Sequence, residues 1–410
     1  MTKNIDQLSF EDIKNAATSF DGAIKHTPTA HAITLSKKTG ADVYIKYENR
    51  QFTASFKERG ALNKLLNLDD NQKKKGVIAA SAGNHAQGVA YHGTRLGIPT
   101  TIVMPLNTPF VKIQNTQELG ATVIEVGERF DETAEAALKI SEEKDLTVVH
   151  PFDDYHVMAG QGTIGIELLN DVADLDIIVV PVGGGGLISG IATAAKAINP
   201  KIKIIGVQSE RFPSLYRAFH NEEYVSMGST LAEGIAVKTI GKKTLKICKE
   251  LVDDVLLVNE DDIEIAVGML LTIEKTVSEG AGACPLAALV RYPEIFKGKK
   301  VGLIVTGGNI DTRLLASILM RSLVRDRRIT RLRIELPDIP GALSIISSII
   351  GNKGGNIIDV SHHRLFTELP AKETYSNITL ETRDAQHFQD ILDNLREEGF
   401  VVTVNQNIDM

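Results

Sequence analysis

Lys57 lies in a segment, Ser55–Ala61, whose composition predicts the start of a helix. Ser55 has the side chain of an N-cap, which would place Lys57 in the first helical turn. The positive end of the helix dipole disfavours a charged amine there, so this lysine loses its proton more easily. A neutral amine can form an imine with an aldehyde. An ordinary surface lysine would show the same local pattern, so the interpretation depends on the other motifs.

Residues Ser81–Gly88 read Ser-Ala-Gly-Asn-His-Ala-Gln-Gly and follow a predicted strand, Gly76–Ala80. Such a strand-to-helix turn exposes backbone N–H groups that bind a carboxylate or a phosphate. The Asn84 amide adds a side chain that can reach a ring oxygen. A capped turn without a ligand is the alternative interpretation.

A glycine loop, which we define as Gly183–Leu187, separates the predicted strand Ile177–Pro181 from a helix. Its consecutive glycines leave backbone N–H groups free to converge on an anion. The loop lacks the spacing and the acidic partner of a dinucleotide site, and no Gly-Lys-Ser/Thr follows it. A small phosphate monoester therefore fits better, with a flexible turn as the alternative.

The fourth segment, Thr306–Asn309, follows the predicted strand Val301–Val305. The Thr306 hydroxyl there could hydrogen-bond a heterocyclic nitrogen. A plain strand-to-helix loop would also explain this segment.

The elements that must position these segments alternate between short apolar strands and helices. This alternation predicts an α/β protein with largely parallel sheets covered by helices on both faces. We expect a small domain of about residues 55–155, inserted in a large domain made of residues 1–54 and 156–320. The remaining strand candidates are Thr100–Met104, Thr122–Val126, Leu146–His150, Ile202–Val207 and Val255–Val258, and helices are expected to begin near Asn84, Pro109 and Arg129.

The composition changes near residue 322, where a basic run predicts a linker over residues 321–330 or the end of a helix. Residues 331–410 then have the order βαββαβ, which is the ferredoxin-like arrangement. Pro340 would lie in the first turn of the first helix. The predicted elements are the strands Arg331–Leu336, Asn356–His362, Tyr375–Glu381 and Phe400–Asn405, and the helices Pro340–Asn352 and Ala385–Glu398.

The bulk properties exclude several classes of protein. The 410 residues carry 45 basic and 52 acidic side chains, and no basic cluster suits a nucleic acid. The two cysteines, Cys248 and Cys284, cannot form a disulfide framework. Met1–Thr18 has no apolar core of a signal peptide. The uncharged stretch Ile177–Ala195 is broken by proline and glycine, so it predicts a strand, a turn and a helix rather than a membrane span. We expect a cytoplasmic protein.

Taken together, the four segments resemble those of the fold-type II pyridoxal-phosphate enzymes, most closely the threonine dehydratases (threonine ammonia-lyases), over about residues 10–320. The resemblance implies two parallel-sheet α/β domains and pyridoxal 5'-phosphate as the cofactor. It implies the conversion of L-threonine to 2-oxobutanoate and ammonium, with activity on L-serine as well. Serine racemases and serine dehydratases share these motifs and remain alternatives, as does a vestigial enzyme that only senses amino acids.

The resemblance also implies roles for single residues. Lys57 would form the Schiff base and move the Cα proton. Asn84 would contact the ring hydroxyl of the cofactor, and Thr306 its pyridine nitrogen. The cofactor phosphate would be held by the backbone of Gly183, Gly184, Gly185, Gly186 and Leu187.

For the substrate, the resemblance places the carboxylate near Ser81, Ala82, Asn84 and His85. The acid that protonates the leaving hydroxyl stays open between the cofactor phosphate, Lys57 and Ser81. Gln208 stands where some members of the wider family have a metal-binding carboxylate. We therefore expect no metal site.

The C-terminal region resembles an ACT domain through Leu336–Leu343 and Gly354–Asp359. The resemblance implies an amino-acid effector, with isoleucine as the candidate, bound between paired domains in a homodimer or homotetramer. A domain that only mediates assembly is the alternative. The implied effector-binding residues are Asp338, Pro340, Gly341, Asn356 and Ile357.

Overall fold

The computed structural model describes residues 7–220, 222, 228–364 and 368–405. The chain divides into two compact units, residues 1–310 and residues 311–410. Among the described residues, no helix is both long and apolar enough to cross a membrane.

Within its described residues, the first unit has two sheets whose strands are β1 (Thr29–His31), β2 (Asp42–Tyr47), β3 (Val77–Ala80), β4 (Thr100–Met104), β5 (Thr122–Glu125), β6 (Thr147–Val148), β7 (Ile177–Pro181), β8 (Lys203–Ser209), β9 (Asp254–Val258) and β10 (Lys300–Val305). One sheet has the order β1-β2-β10-β7-β8-β9, and the other has the order β5-β4-β3-β6. Only the β1–β2 pair is antiparallel among these described pairings. The predicted α/β class with parallel sheets is confirmed.

Helices cover these sheets, and the central strands are apolar throughout because both of their faces are buried. Every residue of β7 is buried, for example. The helices of this unit are α1 (Phe10–Ser19), α2 (Ile33–Thr39), α3 (Lys57–Leu66), α4 (Asp70–Lys75), α5 (Asn84–Arg95), α6 (Phe110–Glu118), α7 (Phe130–Lys144), α8 (Tyr155–Asp171), α9 (Gly186–Ile198), α10 (Ser214–His220), α11 (Lys242–Leu251), α12 (Glu260–Thr272), α13 (Gly280–Arg291) and α14 (Pro293–Phe296).

The second unit contains α15 (Thr312–Arg325), β11 (Ile329–Pro337), α16 (Ala342–Asn352), β12 (Asn356–His363), β13 (Glu373–Glu381), α17 (Ala385–Glu397) and β14 (Val401–Asn405). Its strands form an antiparallel sheet of order β12-β13-β11-β14. Alternate residues such as Leu332 and Ile334 face a core that they share with α16 and α17. From β11 onward the unit therefore has the predicted βαββαβ order.

Two helix starts differ from the sequence-based expectation. The N-cap of α3 is Phe56 rather than Ser55, which is held instead in a β-bridge with Gly307. Pro340 lies before α16 rather than in its first turn. The N-cap of that helix is Gly341, whose φ of +88° belongs to the left-handed region that glycine adopts readily.

Two further boundaries also differ. The predicted strand Leu146–His150 is reduced to β6, and a turn at His150–Asp153 then leads into α8. In the predicted linker over residues 321–330, the first five residues continue α15, which ends at Arg325. The basic run is thus partly a helix end.

Candidate active site

The four predicted segments lie at the carboxyl ends of parallel strands or at the start of a helix beside them. The Phe56 N–H donates to the Thr306 carbonyl oxygen at 3.0 Å. The Asn309 Nδ2 donates to the Asn84 Oδ1 at 2.8 Å. Loops at this edge of parallel sheets form ligand sites in many α/β proteins. The fold thus brings the lysine segment together with two of the other three segments.

Lys57 is the first residue of α3, and its amine is partly buried in this cleft. Its Nζ donates to the Pro151 carbonyl oxygen at 2.8 Å. Burial lowers the pKa of this amine to about 8, although the Glu279 carboxylate acts in the opposite direction. A much larger fraction of this amine than of an ordinary lysine is therefore neutral and nucleophilic near neutral pH.

Asn84 is held by a hydrogen bond on each side of its amide. Its Nδ2 donates to Glu279 Oε1 at 2.8 Å, while its Oδ1 accepts from Asn309. Burial raises the pKa of Glu279 to about 7, and the Asn84 hydrogen bond partly opposes that rise. The second N–H of the amide is left to donate to a ligand.

Sequence reasoning missed Glu279. The available signal was the pair of glycines after it, at the start of α13. A Cβ on Gly280 would lie 2.3 Å from the Leu231 carbonyl oxygen, and a Cβ on Gly282 would lie 3.1 Å from the Thr306 nitrogen. These glycines let α13 approach the loop after β10 closely enough for Glu279 to reach Asn84.

The glycine loop forms a cradle that side chains would fill. A Cβ on Gly184 would lie 2.3 Å from the Phe152 ring, and Gly185 has a φ of +93° as the N-cap of α9. The Thr244 hydroxyl holds the loop by donating to the Gly184 carbonyl oxygen at 2.7 Å. The first N–H groups of α9 have no partner inside the helix and can bind an anion.

Thr306 directly follows β10 and is only 2% exposed. Its backbone is fixed by Phe56 from one side and by the close approach of Gly282 from the other. The structure therefore places a buried hydroxyl residue beside the segment that carries Lys57.

Residues Ser81–His85 link β3 to α5. The Ser81 Oγ accepts the Gly83 N–H at 3.2 Å, so its own hydroxyl hydrogen can be donated elsewhere. The His85 Nε2 lies 2.8 Å from the Val149 carbonyl oxygen and must therefore carry the ring proton. Burial lowers the pKa of His85 to about 3, so the ring is neutral. A carboxylate here would be held by the N–H groups at the start of α5, not by an imidazolium.

Below the cleft, a buried ionic network holds α3 to the rest of the unit. Arg59 Nε donates to Glu48 at 2.8 Å, and its NH1 donates to Glu167 at 2.6 Å. The Lys46 amine donates to the same Glu167 at 2.7 Å. Burial disfavours the charged form of Glu48, but the Arg59 guanidinium lowers the pKa of this carboxyl below its usual value. Sequence reasoning assigned no role to Arg59.

Gln208 is fully buried and uses its amide for structure. Its Nε2 donates to the Val182 carbonyl oxygen at 3.1 Å, and its Oε1 accepts the N–H groups of Leu215 and Tyr216 at the start of α10. Across residues 7–220, 222, 228–364 and 368–405, no group of three or more His, Cys, Asp and Glu side chains is arranged to hold a metal ion.

The predicted effector residues do not form one cluster within a single chain. Asp338 pairs with Arg364 at 3.1 Å, beyond the end of β11, while Asn356 lies at the start of β12. The register of β11, β13 and β12 puts these groups at opposite ends of the sheet, about 30 Å apart at 3.3 Å per residue. A site with both groups would need a second chain.

The site has a lysine of lowered pKa, a glycine cradle for an anion, an oriented amide and a buried hydroxyl. This set fits a phosphorylated aldehyde with a heterocyclic ring, and such a cofactor defines a class of enzymes that work through an imine with lysine. The family described as "Pyridoxal-phosphate dependent enzyme" matches residues 20–307. The chain belongs to this family, and its cofactor is pyridoxal phosphate.

Individual relatives are also similar over most of their length. The chain is 44% identical to the L-threonine ammonia-lyase of Thermotoga maritima, over 97% of this chain and 99% of the relative. It is 37% identical to the solved threonine deaminase isoform 2 of Solanum lycopersicum, with a TM-score of 0.72, over 78% of this chain and 91% of the relative. It is 36% identical to the serine racemase structure of Dictyostelium discoideum, with a TM-score of 0.69, over 74% of this chain and 99% of the relative.

Proposed function

We propose that this protein is a pyridoxal-phosphate-dependent L-threonine ammonia-lyase that releases 2-oxobutanoate and ammonium and also acts on L-serine. The observation that carries the proposal is the Lys57 amine, whose pKa burial lowers to about 8, in a cleft shared with the Asn84 amide. The 44% identity to the T. maritima L-threonine ammonia-lyase supports the choice of substrate.

When bound, the cofactor supplies an aldehyde for the amino group and withdraws electrons from Cα. Lys57 is the residue that would hold this aldehyde. Its amine also takes the Cα proton of the substrate, which a pKa near the working pH favours.

Three groups of the chain hold the cofactor in this proposal. The N–H groups of Gly183, Gly184, Gly185, Gly186 and Leu187 bind its phosphate. The free N–H of the Asn84 amide donates to the ring oxygen. The Thr306 hydroxyl pairs with the ring nitrogen, and a hydroxyl, unlike a carboxylate, does not hold that nitrogen protonated.

The substrate carboxylate binds at the start of α5, against the backbone of Ser81, Ala82, Asn84 and His85. The neutral His85 ring keeps this end of the site free of a second positive charge. Ser81 supplies the acid for the leaving hydroxyl, because its hydroxyl hydrogen is not used within the loop.

The test is the release of 2-oxobutanoate from L-threonine by the purified protein, with Lys57→Ala as the control variant. Rapid oxoacid release that is lost in Lys57→Ala supports the lyase. A protein that contains the cofactor but releases no oxoacid from threonine or serine would overturn it.

Serine racemisation is the second candidate, because the D. discoideum serine racemase covers most of the chain. Chiral analysis of the serine recovered after incubation with L-serine separates the two activities. Accumulation of D-serine faster than pyruvate would favour the racemase. A vestigial sensor would release neither product.

Regulation is proposed through the second unit. The βαββαβ order of this unit supports an ACT-like domain that binds an amino acid, with isoleucine as the candidate, in a cytoplasmic homodimer or homotetramer. Since Asp338–Gly341 and Asn356–Ile357 lie at opposite ends of the sheet in one chain, the proposed effector site combines them from two chains.

Titration calorimetry with isoleucine tests this regulation, together with the activity at increasing isoleucine concentration. Loss of binding in both Gly341→Val and Asn356→Ala, with the dimer intact, supports the shared site. Wild-type binding in both variants would contradict the assigned site.

A further inference from the structure

The turn His150–Asp153, here named the histidine turn, contacts both the catalytic lysine and the glycine loop. The His150 Nδ1 accepts the Phe152 N–H at 3.2 Å and the Asp153 N–H at 2.7 Å. A ring nitrogen that accepts must have its lone pair free, so the ring is neutral with its proton on Nε2. Burial lowers the pKa of His150, which keeps the ring in this form near neutral pH.

The first two residues after His150 support different parts of the site. The Pro151 carbonyl oxygen accepts from the Lys57 Nζ at 2.8 Å. The Phe152 ring lies against the glycine loop, where a Cβ on Gly184 would come within 2.3 Å of it. The Phe152 ring also packs edge-on against the His150 ring, with centroids 4.6 Å apart.

Asp153 reaches the glycine loop by a second route. Its Oδ1 accepts the N–H groups of Lys243 and Thr244 at 2.9 and 3.1 Å, at the start of α11. The Thr244 hydroxyl in turn donates to the Gly184 carbonyl oxygen at 2.7 Å. This one turn therefore positions the Lys57 amine, the Phe152 ring beside the glycine loop, and α11, whose Thr244 holds the loop.

We infer that His150 is a positioning residue: by binding the N–H groups of Phe152 and Asp153, it holds the Pro151 carbonyl against Lys57 and Phe152 against the glycine loop. The inference rests on the proposed function to the extent that Lys57 is the lysine that binds the cofactor. His150 needs no contact with the substrate for this role. Its contribution depends on one acceptor atom at Nδ1.

Two variants isolate that acceptor atom. His150→Asn keeps an acceptor, because an asparagine Oδ1 takes N–H groups two and three residues further along the chain in the same kind of turn. His150→Leu has a side chain of similar bulk without an acceptor. The Kd of the cofactor is measured by absorbance titration of the apoprotein, the urea midpoint of the apoprotein reports folding, and kcat and KM are measured with L-threonine.

We expect His150→Leu to bind the cofactor about tenfold or more weakly, because the turn loses both hydrogen bonds to His150 and cofactor binding must then reorder it. Its kcat falls while its KM for threonine changes little, because the carboxylate site lies on α5. His150→Asn restores most of the cofactor affinity and of kcat. Both apoproteins stay folded, and only His150→Leu shows a modestly lower urea midpoint, because it alone loses the two hydrogen bonds.

Wild-type cofactor affinity in His150→Leu would overturn the inference. So would equal impairment of His150→Asn and His150→Leu in proteins that remain folded, since the acceptor atom would then not be the cause. Failure of the proposed function would give a different result from failure of this inference. The wild-type protein would bind the cofactor and release no oxoacid, and the titrations would still test His150.

Discussion

Asn84 and Glu279 are joined by a hydrogen bond of 2.8 Å between the Asn84 Nδ2 and the Glu279 Oε1. This contact ties the start of α5 to the start of α13, two helices that pack on different sheets. The Glu279 carboxyl is therefore close enough to affect the charge of Lys57 while it orients the amide.

The Lys57 amine should titrate with a midpoint near pH 8 in the apoprotein, because burial lowers its pKa. Its modification by an amine reagent, followed by mass spectrometry across pH, measures this midpoint. Glu279→Gln should move the midpoint to lower pH, since the carboxylate raises the pKa of Lys57. A midpoint that stays near that of ordinary lysines would contradict the burial of this amine.

Glu279→Gln should also change how stability depends on pH. The pKa of Glu279 is raised from 4.5 to about 7, so the folded state disfavours the charged carboxylate. The resulting loss of folding stability is absent below pH 4.5, grows between pH 4.5 and 7, and is complete above that range. We expect Glu279→Gln to raise the free energy of unfolding by on the order of 1–2 kcal/mol at pH 8, after allowance for solvent screening. At pH 4.5 we expect little change.

Urea unfolding of the apoprotein at the two pH values measures this difference. Glu294→Gln, at an exposed site on α14, is the control and should show no such dependence. Equal effects of Glu279→Gln at pH 8 and pH 4.5 would exclude the carboxylate as their cause.

Gly184→Ala should abolish high-affinity cofactor binding, because the new Cβ would lie 2.3 Å from the Phe152 ring. Phe152→Leu in the same chain removes the aromatic ring and should restore part of the affinity. Cofactor titration of the two single variants and the double variant measures the coupling. Gly351→Ala, in open space on α16, is the matched control and should bind as the wild type does. Additive effects at Gly184 and Phe152 would show that their contact is not the cause.

Arg59→Met should destabilise the apoprotein by about 3–5 kcal/mol, because it leaves the buried Glu48 without its guanidinium partner and Glu167 with only Lys46. Urea unfolding measures the loss. Arg129→Met removes an exposed ion pair with Glu132 and should have no measurable effect. A small loss in Arg59→Met would mean that water or Lys46 compensates the carboxylates.

The parts of the site that depend on local chemistry could be predicted from the sequence. Consecutive glycines before a helix are informative because few backbones require them. The lysine after a serine became informative only beside the other three motifs. The helix starts were less reliable. Phe56, not Ser55, is the N-cap of α3, because the Ser55 backbone pairs with Gly307, a contact that no local pattern encodes. The Ser55 Oγ still accepts the Lys57 N–H at 3.3 Å.

Glu279 and His150 escaped sequence reasoning for a related reason. Glu279 acts on Asn84, which lies on another element. His150 holds only its own turn, and that turn matters because Lys57 and the glycine loop pack against it, which no local pattern encodes. A glutamate before a glycine-rich helix and a histidine after a short strand occur in many proteins without a site. The positions assigned to the cofactor, the substrate and the effector stay predictions until the variants above are measured.

The order of the chain has a consequence for biosynthesis. Asn84 and Asn309, which hydrogen-bond to each other, are 225 residues apart in sequence. A nascent chain on the ribosome therefore presents its lysine long before the last loop of the site has emerged. Contacts between such distant residues form slowly. Capture of the cofactor must come late, and a chain released before β10 would expose an unfinished cleft to proteases.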